Sequence, residues 1–167
     1  MGARRFREST SPIRAIYWSG DGSVMVLCDV NVVLSAGMPE SPHHRVCRER
    51  IEELLDAQER FAISELVLAA VVRIATNRKA FKKPSSLARA FAFVGALREH
   101  PDAVAVSPGP RHWRIFQEIA TASGCRGADT TDAYFAALAI EHGCEWWTAD
   151  ADLARFSGLR WRNVLER

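Results

Sequence analysis

Two stretches decide the fold: Val24-Met25-Val26-Leu27-Cys28-Asp29 near the start of the chain and Glu145-Trp146-Trp147-Thr148-Ala149-Asp150 near its end. Val24 to Cys28 is short and continuously apolar, the pattern of a strand buried on both faces of a parallel sheet, and Asp29 stands at its C-terminal end. Glu145 to Thr148 repeats the pattern and leads into Asp150. In open α/β sheets ligands bind in the crevice beyond the carboxyl ends of the strands, so acids at two such ends are expected to converge.

Working outward, helix and strand patterns alternate. From His43 to Arg60 the apolar residues Cys47, Ile51, Leu54 and Leu55 recur at helical spacing, with Arg and Glu on the other face. Phe61 to Ile63 is a second strand, and Ser64 is a good N-cap for an apolar helix reaching about Asn77. Pro84-Ser85-Ser86 opens the next helix, which His100-Pro101 stops, and Ala103 to Val106 is a third strand. After the turn Pro108-Gly109-Pro110, the spacing of Trp113, Phe116, Ile119 and Ala120 marks a helix ending near Gly124. Asp132 is expected to start an Ala-rich helix that stops at Gly143. The alternation predicts an α/β fold with a mainly parallel central sheet. The length of 167 residues suits one domain. We expect residues 24–167 to form it and residues 1–23, which end in the turn formers Ser19-Gly20-Asp21-Gly22-Ser23, to be an N-terminal extension.

The net charge of +2 is unremarkable, but the charges are sorted. Leu66 to Arg98 holds Arg73, Arg78, Lys79, Lys82, Lys83, Arg89 and Arg98 with no carboxylate. Gly127 to Ala154 holds Asp129, Asp132, Glu141, Glu145, Asp150 and Asp152 with no Lys or Arg. Acids of this kind can hold a cation while the bases hold the backbone of a polyanion. A lone Asp is ordinarily a helix cap or turn former. Asp29, Asp132 and Asp150 together, at two strand ends and a helix start over the same edge, are explained less well that way. Crowded carboxylates need a neutralising partner, and an oxygen-only cluster with free positions suits Mg²⁺ or Mn²⁺ rather than zinc.

At this point the sequence resembles a known family. Leu27-Cys28-Asp29-Val30-Asn31-Val32-Val33-Leu34, then Ser64-Glu65-Leu66-Val67-Leu68 through Arg73-Ile74-Ala75-Thr76-Asn77, look like the first half of a VapC-type PIN domain. Pro108-Gly109-Pro110-Arg111-His112-Trp113, Asp132-Ala133-Tyr134-Phe135-Ala136-Ala137-Leu138, and Thr148-Ala149-Asp150 through Arg160-Trp161 resemble the second half, in order. The resemblance covers residues 25 to 165. It implies a PIN-like three-layer fold and the toxin of a type II toxin-antitoxin system, a cytoplasmic Mg²⁺-dependent ribonuclease with a small VapB-like antitoxin partner and a homodimeric state. Asp29, Asp132 and Asp150 match the family's metal-binding acids. Glu65 is a fourth catalytic candidate: many relatives carry a Glu in mid-helix where this chain has Ala70, while a subgroup keeps its acid where Glu65 stands. The two positions lie about 140° apart around a helix, so one does not simply replace the other.

Asn31 and Thr148 are expected to touch substrate, with Thr148 also able to hydrogen-bond within the acidic cluster. Arg73, Arg78, Lys79, Lys82 and Lys83 are expected to hold the RNA backbone. Arg73 lies in an otherwise apolar helix and is expected to find a carboxylate near the site. Of the pair after the fourth strand, Asp150 is expected in the crevice and Asp152 in a turn or cap.

Other readings are weaker. Cys28, Cys47, Cys125 and Cys144 lie far apart and form no CxxC pair, as expected of thiols in a reducing cytosol. No apolar run approaches a membrane span. His43-His44 has no further ligand spacing to support a metal site. There is no GxSxG, P-loop or GxGxxG stretch. An aspartyl-phosphate phosphatase would need an acid two residues after Asp29, where Asn31 stands. The remaining alternative is a catalytically inactive PIN-like module that binds RNA or an antitoxin.

Overall fold

Five short parallel strands organise the molecule, and the direction in which the chain adds them to the sheet places the acids. The computed structural model describes residues 24–166. The expectation for residues 1–23 lies outside the described residues. In chain order the elements are β1 (Val26–Cys28), α1 (Val30–Gly37), α2 (His44–Asp56), β2 (Phe61–Ile63), α3 (Glu65–Ala75) and α4 (Leu87–Arg98). They continue with β3 (Ala103–Ala105), α5 (His112–Ala122), α6 (Asp129–His142), β4 (Glu145–Thr148), a short 3-10 helix (Ala151–Arg155) and β5 (Arg160–Asn163).

The sheet order is β3-β2-β1-β4-β5, and every pairing is parallel. The chain lays down β1, β2 and β3 toward one edge, then crosses back to place β4 on the other side of β1. Right-handed crossovers put α1 to α4 on one face and α5 and α6 on the other, which gives the three layers. The order reverses between β1 and β4, where Leu27 pairs with Trp146 and Cys28 with Trp147. A crevice opens at such a reversal because the flanking connections leave in opposite directions. Asp29 and Asp150 stand at its lip.

The core explains why these segments fold as they do. Ala133, Phe135, Ala136, Ala137, Leu138 and Ala139 of α6 are all buried, so this helix is apolar nearly all round, and its alanines let it lie close to the sheet. Gly143 ends it at φ 65°, a left-handed conformation that a side chain would strain. Trp146 stacks on Phe135, with ring centroids 6.1 Å apart, while Trp147 meets Arg162 of β5, so the two indoles part to different neighbours.

The structure departs from the sequence reading in four places. α1 is unexpected, because Val30, Val32 and Val33 disfavour a helix; burial of Val32, Val33 and Ala36 outweighs that propensity. β5 is also unexpected, since Arg160-Trp161-Arg162-Asn163 has only one apolar residue, yet it pairs along β4 from Glu145↔Arg160 to Thr148↔Asn163. α6 begins at Asp129 rather than Asp132. Ser64 holds the N-cap position of α3 but makes no side-chain capping bond.

Candidate active site

The crevice is built around Thr148, which is fully buried at the end of β4. Its hydroxyl donates to Asp29 Oδ2 at 2.8 Å, and the same oxygen accepts from the Asp150 backbone N–H at 3.1 Å and from Asn31 Nδ2 at 3.1 Å. The hydroxyl's one donor and two acceptor sites are thus all used. Asn31 also donates to Asp29 Oδ2 at 2.9 Å, and its own Oδ1 accepts from the Ala149 N–H at 3.0 Å. One small network therefore stitches the end of β1 and the start of α1 to the exit of β4.

Asp29 occupies the N-cap position of α1 but makes no capping bond of its own. Its carboxyl is directed instead to Thr148 and Asn31, both of which reach Oδ2, so Oδ1 receives no side-chain donor among the described residues. Burial pushes this carboxyl up from 3.8 to about 6, and the Asp132 charge adds to the rise. The Thr148 hydroxyl and the amides of Val30 and Asn31 pull the other way without overcoming burial.

Asp132, in the first turn of α6, is also raised, by burial first; Arg155 lowers it, and Asp150 and Asp129 raise it. Asp29, Asp132 and Asp150 are therefore electrostatic neighbours. Their donors are all carboxylate oxygens, which fits a hard divalent cation. Among the described residues no three His, Cys, Asp or Glu side chains are gathered tightly enough to enclose an ion.

The structure does not bring every candidate together. Glu65 turns to Arg98 at 2.6 Å with 67% of its side chain exposed, and it is absent from the charges that shift Asp29 or Asp132. Asn31, expected to touch substrate, directs its Nδ2 to Asp29 Oδ2 and Thr148 Oγ1 and so helps to hold Asp29. Arg73 is exposed and has no carboxylate partner among the described residues, which corrects the expectation that it would find one near the site. It projects to solvent because the apolar residues of α3 face α1 and α4.

The basic cluster lies elsewhere. Arg98 at the end of α4 meets Glu65 at the start of α3, and the Ser85 N–H donates to the Ala75 carbonyl, so α3 and α4 form an antiparallel hairpin. Ala75 is about 15 Å along α3 from Glu65. Arg73, Arg78, Lys79, Lys82 and Lys83 therefore cluster toward the hairpin's tip, away from the sheet edge, and all five are exposed.

After β4 only the capping residue differs from expectation. Asp150 caps the 3-10 helix, its Oδ1 accepting from the Asp152 N–H at 2.9 Å, so the cap expected of Asp152 belongs to Asp150. Asp150 still faces Asp132 closely enough to raise it. Two further acids are structural: Glu141 accepts the N–H groups of Gly109 and Arg111, and Glu145 accepts from Trp147 Nε1. The sequence reading missed Asp129 and Arg155. Arg155 Nη2 lies 3.4 Å from Asp129 and 3.7 Å from Asp132. The i, i+3 spacing of the two Asp residues on one helix face was the available signal.

A parallel sheet with carboxylates gathered at its order reversal defines a class of protein, an α/β domain equipped to handle a cation and a phosphate. Residues 26–159 match the PIN domain family, and the chain belongs to that family. It is 40% identical over 136 residues to Ribonuclease VapC25 of Mycobacterium tuberculosis, covering 81% of this chain and 96% of that protein. It is 37% identical over 142 residues to VapC ribonuclease Mb2897 of Mycobacterium bovis, covering 85% and 97%. Among solved structures, VapBC-1 from nontypeable Haemophilus influenzae superposes with a TM-score of 0.60 at 15% identity, over 85% of this chain and 99% of that one. PAE2754 from Pyrobaculum aerophilum does so at 0.57 and 18% identity, over 90% and 92%. These two share the fold.

Proposed function

We propose that this protein is the toxin of a type II toxin-antitoxin pair, a metal-dependent endoribonuclease that hydrolyses RNA phosphodiester bonds. The observation that carries the reading is the Asp29–Thr148–Asn31 network at the β1/β4 reversal, facing Asp132 and Asp150. Kinship with VapC ribonucleases over most of both chains supports the same activity.

Asp29 and Asp132 are the residues to hold Mg²⁺, or Mn²⁺ in its place, with Asp150 completing the negative edge. When bound, the cation activates water and offsets charge developing on the phosphate oxygens. The chain's own part is positioning. Thr148 and Asn31 fix the Asp29 carboxyl through Oδ2, and their bonds to the backbone of Ala149 and Asp150 lock the β4 exit in register with it. No side-chain nucleophile is required. Arg73, Arg78, Lys79, Lys82 and Lys83 hold distal parts of an extended RNA backbone, a sequence-blind contribution.

The partners of this reading are RNA, a small VapB-like antitoxin that covers the crevice, and a second copy of the chain. VapBC2 from Rickettsia felis and VapBC-1 from nontypeable Haemophilus influenzae share the fold, which supports the antitoxin. An RNA substrate implies a cytoplasmic site of action. No helix among the described residues is long and apolar enough to cross a membrane.

The deciding experiment incubates the full chain with structured RNA in Mg²⁺ and in chelator, beside Asp29→Asn and Asp132→Asn. Cleavage by the wild type in Mg²⁺ alone, lost in both variants, is expected. RNA retention without cleavage under every condition favours the inactive module, which Ala70 and the engagement of Glu65 by Arg98 bring forward.

A further inference from the structure

The acidic crevice already contains a positive charge. Arg155, at the end of the 3-10 helix, places Nη2 3.4 Å from Asp129 Oδ1 and 3.7 Å from Asp132 Oδ2. Charge-assisted N–H···O bonds close to about 2.7–2.9 Å. Arg98 with Glu65 at 2.6 Å and Arg48 with Glu52 at 2.8 Å do so in this molecule. Arg155 does not; it stands between two carboxylates without being hydrogen-bonded to either.

The backbone at Arg155 is held and its guanidinium packs over an aromatic ring, but no hydrogen bond ties it to the carboxylates. The Ser123 hydroxyl at the end of α5 donates to the Arg155 carbonyl at 3.2 Å, and the guanidinium lies 5.0 Å from the centroid of the Phe156 ring, itself buried. From there the guanidinium reaches the start of α6. Asp129 and Asp132 lie three residues apart there and present their carboxylates on one face. Asp150, at the exit of β4, adds its negative charge to the field at Asp132. Asp129 and Asp132 thus share one guanidinium, while the Asp150 charge adds to the repulsion at Asp132.

We propose that Arg155 is an internal, displaceable counter-ion that competes with a divalent cation for Asp132 and so sets the metal concentration at which the site fills. This rests on the metal-dependent reading above. Arg155 is here a positioning residue: in the metal-free protein it keeps Asp129 and Asp132 from repelling each other out of place. When a cation takes Asp132, the guanidinium yields, since no short hydrogen bond has to break.

The test is Mn²⁺ binding to the full chain by titration calorimetry, with thermal melting in chelator and in Mn²⁺ as a second readout. Arg155→Gln is expected to bind Mn²⁺ about threefold to fivefold more tightly at low salt, the modest factor fitting a half-exposed pair. Arg155→Lys, which keeps the charge, is expected near wild type. The gain should vanish in the Asp132→Asn/Arg155→Gln double variant. In chelator Arg155→Gln is expected to melt below wild type, and Mn²⁺ should narrow that gap. Unchanged or weaker Mn²⁺ affinity in Arg155→Gln overturns the proposal, as does a gain that survives loss of Asp132. If the wild type binds Mn²⁺ and cleaves RNA while Arg155→Gln binds no tighter, only this proposal falls. If no variant binds Mn²⁺, it falls together with the metal-dependent reading.

Discussion

Asp29 Oδ2 and Thr148 Oγ1 are separated by 119 positions in the chain and by 2.8 Å in the fold. The bond crosses from β1 to β4 where the strand order reverses, and Thr148 is buried completely. Thr148→Val keeps the volume and removes the hydroxyl, leaving the Asp150 N–H and one Asn31 hydrogen without their acceptor. We expect a loss of about 1–3 kcal/mol in stability and at least about a tenfold drop in RNA cleavage. Thr148→Ser should restore both. Urea denaturation and single-turnover cleavage check this, and a Val variant that matches wild type in both would remove Thr148 from the site.

Asp29→Asn and Asp132→Asn each delete a negative oxygen while keeping the shape of the side chain. Cleavage is expected to fall by at least about a hundredfold in both, in line with loss of a group that holds the metal. Undiminished rates at saturating Mg²⁺ would sink the nuclease reading.

Stability should depend on pH through Asp29. Its carboxyl is raised in the folded protein to about 6 from 3.8, so between roughly pH 4 and 6 the folded state binds more protons than the unfolded one. Stability contributed by this group therefore falls as pH rises through that window and stays low above it. The full shift corresponds to at most about 3 kcal/mol. Asp29→Asn should flatten this part of the profile and melt higher than wild type at pH 7 in chelator. A wild-type profile rising steadily from pH 4 to 6, unaltered in the variant, would contradict the assignment.

Asp150, Asp152 and Glu65 separate by role. Asp150→Asn is expected to lower cleavage by removing charge beside Asp132, while its retained amide oxygen can still cap the 3-10 helix. Asp152→Asn should leave cleavage within about twofold, because only its backbone N–H takes part in the cap. Glu65→Gln loses an exposed pair with Arg98, worth less than about 1 kcal/mol, and should leave Mn²⁺ affinity unchanged. Parallel measurement of all three is decisive: a dead Glu65→Gln with normal Asp150→Asn would shift the site toward α3.

Replacing Lys79, Lys82 and Lys83 together by Ala should weaken RNA binding and make it less salt-sensitive, with a slope lower by up to about three units. The tip lies about 15 Å along α3 from Glu65, which itself stands outside the acidic cluster, so kcat on saturating RNA should hold. A collapse in kcat with unchanged affinity would mean that these lysines reach the reacting phosphate.

Much of the fold could be read from the chain alone, for local reasons. β1, β2, β3 and β4 announce themselves as short apolar runs, α2 and α5 by apolar spacing, and the end of α6 by Gly143, whose left-handed backbone suits glycine. α1 and β5 could not be read this way: their stability comes from burial against α2, α3 and β4, contacts that no local pattern encodes. The same boundary runs through the site. Strand ends and a helix start nominated Asp29, Asp132 and Asp150, because acids at such positions share one edge in any parallel α/β sheet. Their sorting into roles depended on distances set by the assembled sheet. Thr148 and Asn31 became the clamp on Asp29, Asp150 became a cap, Glu65 was drawn to Arg98, and Arg155 came to rest between Asp129 and Asp132. Residue chemistry is fixed by the sequence, whereas which charge faces which is fixed only when the strands pair and the helices pack.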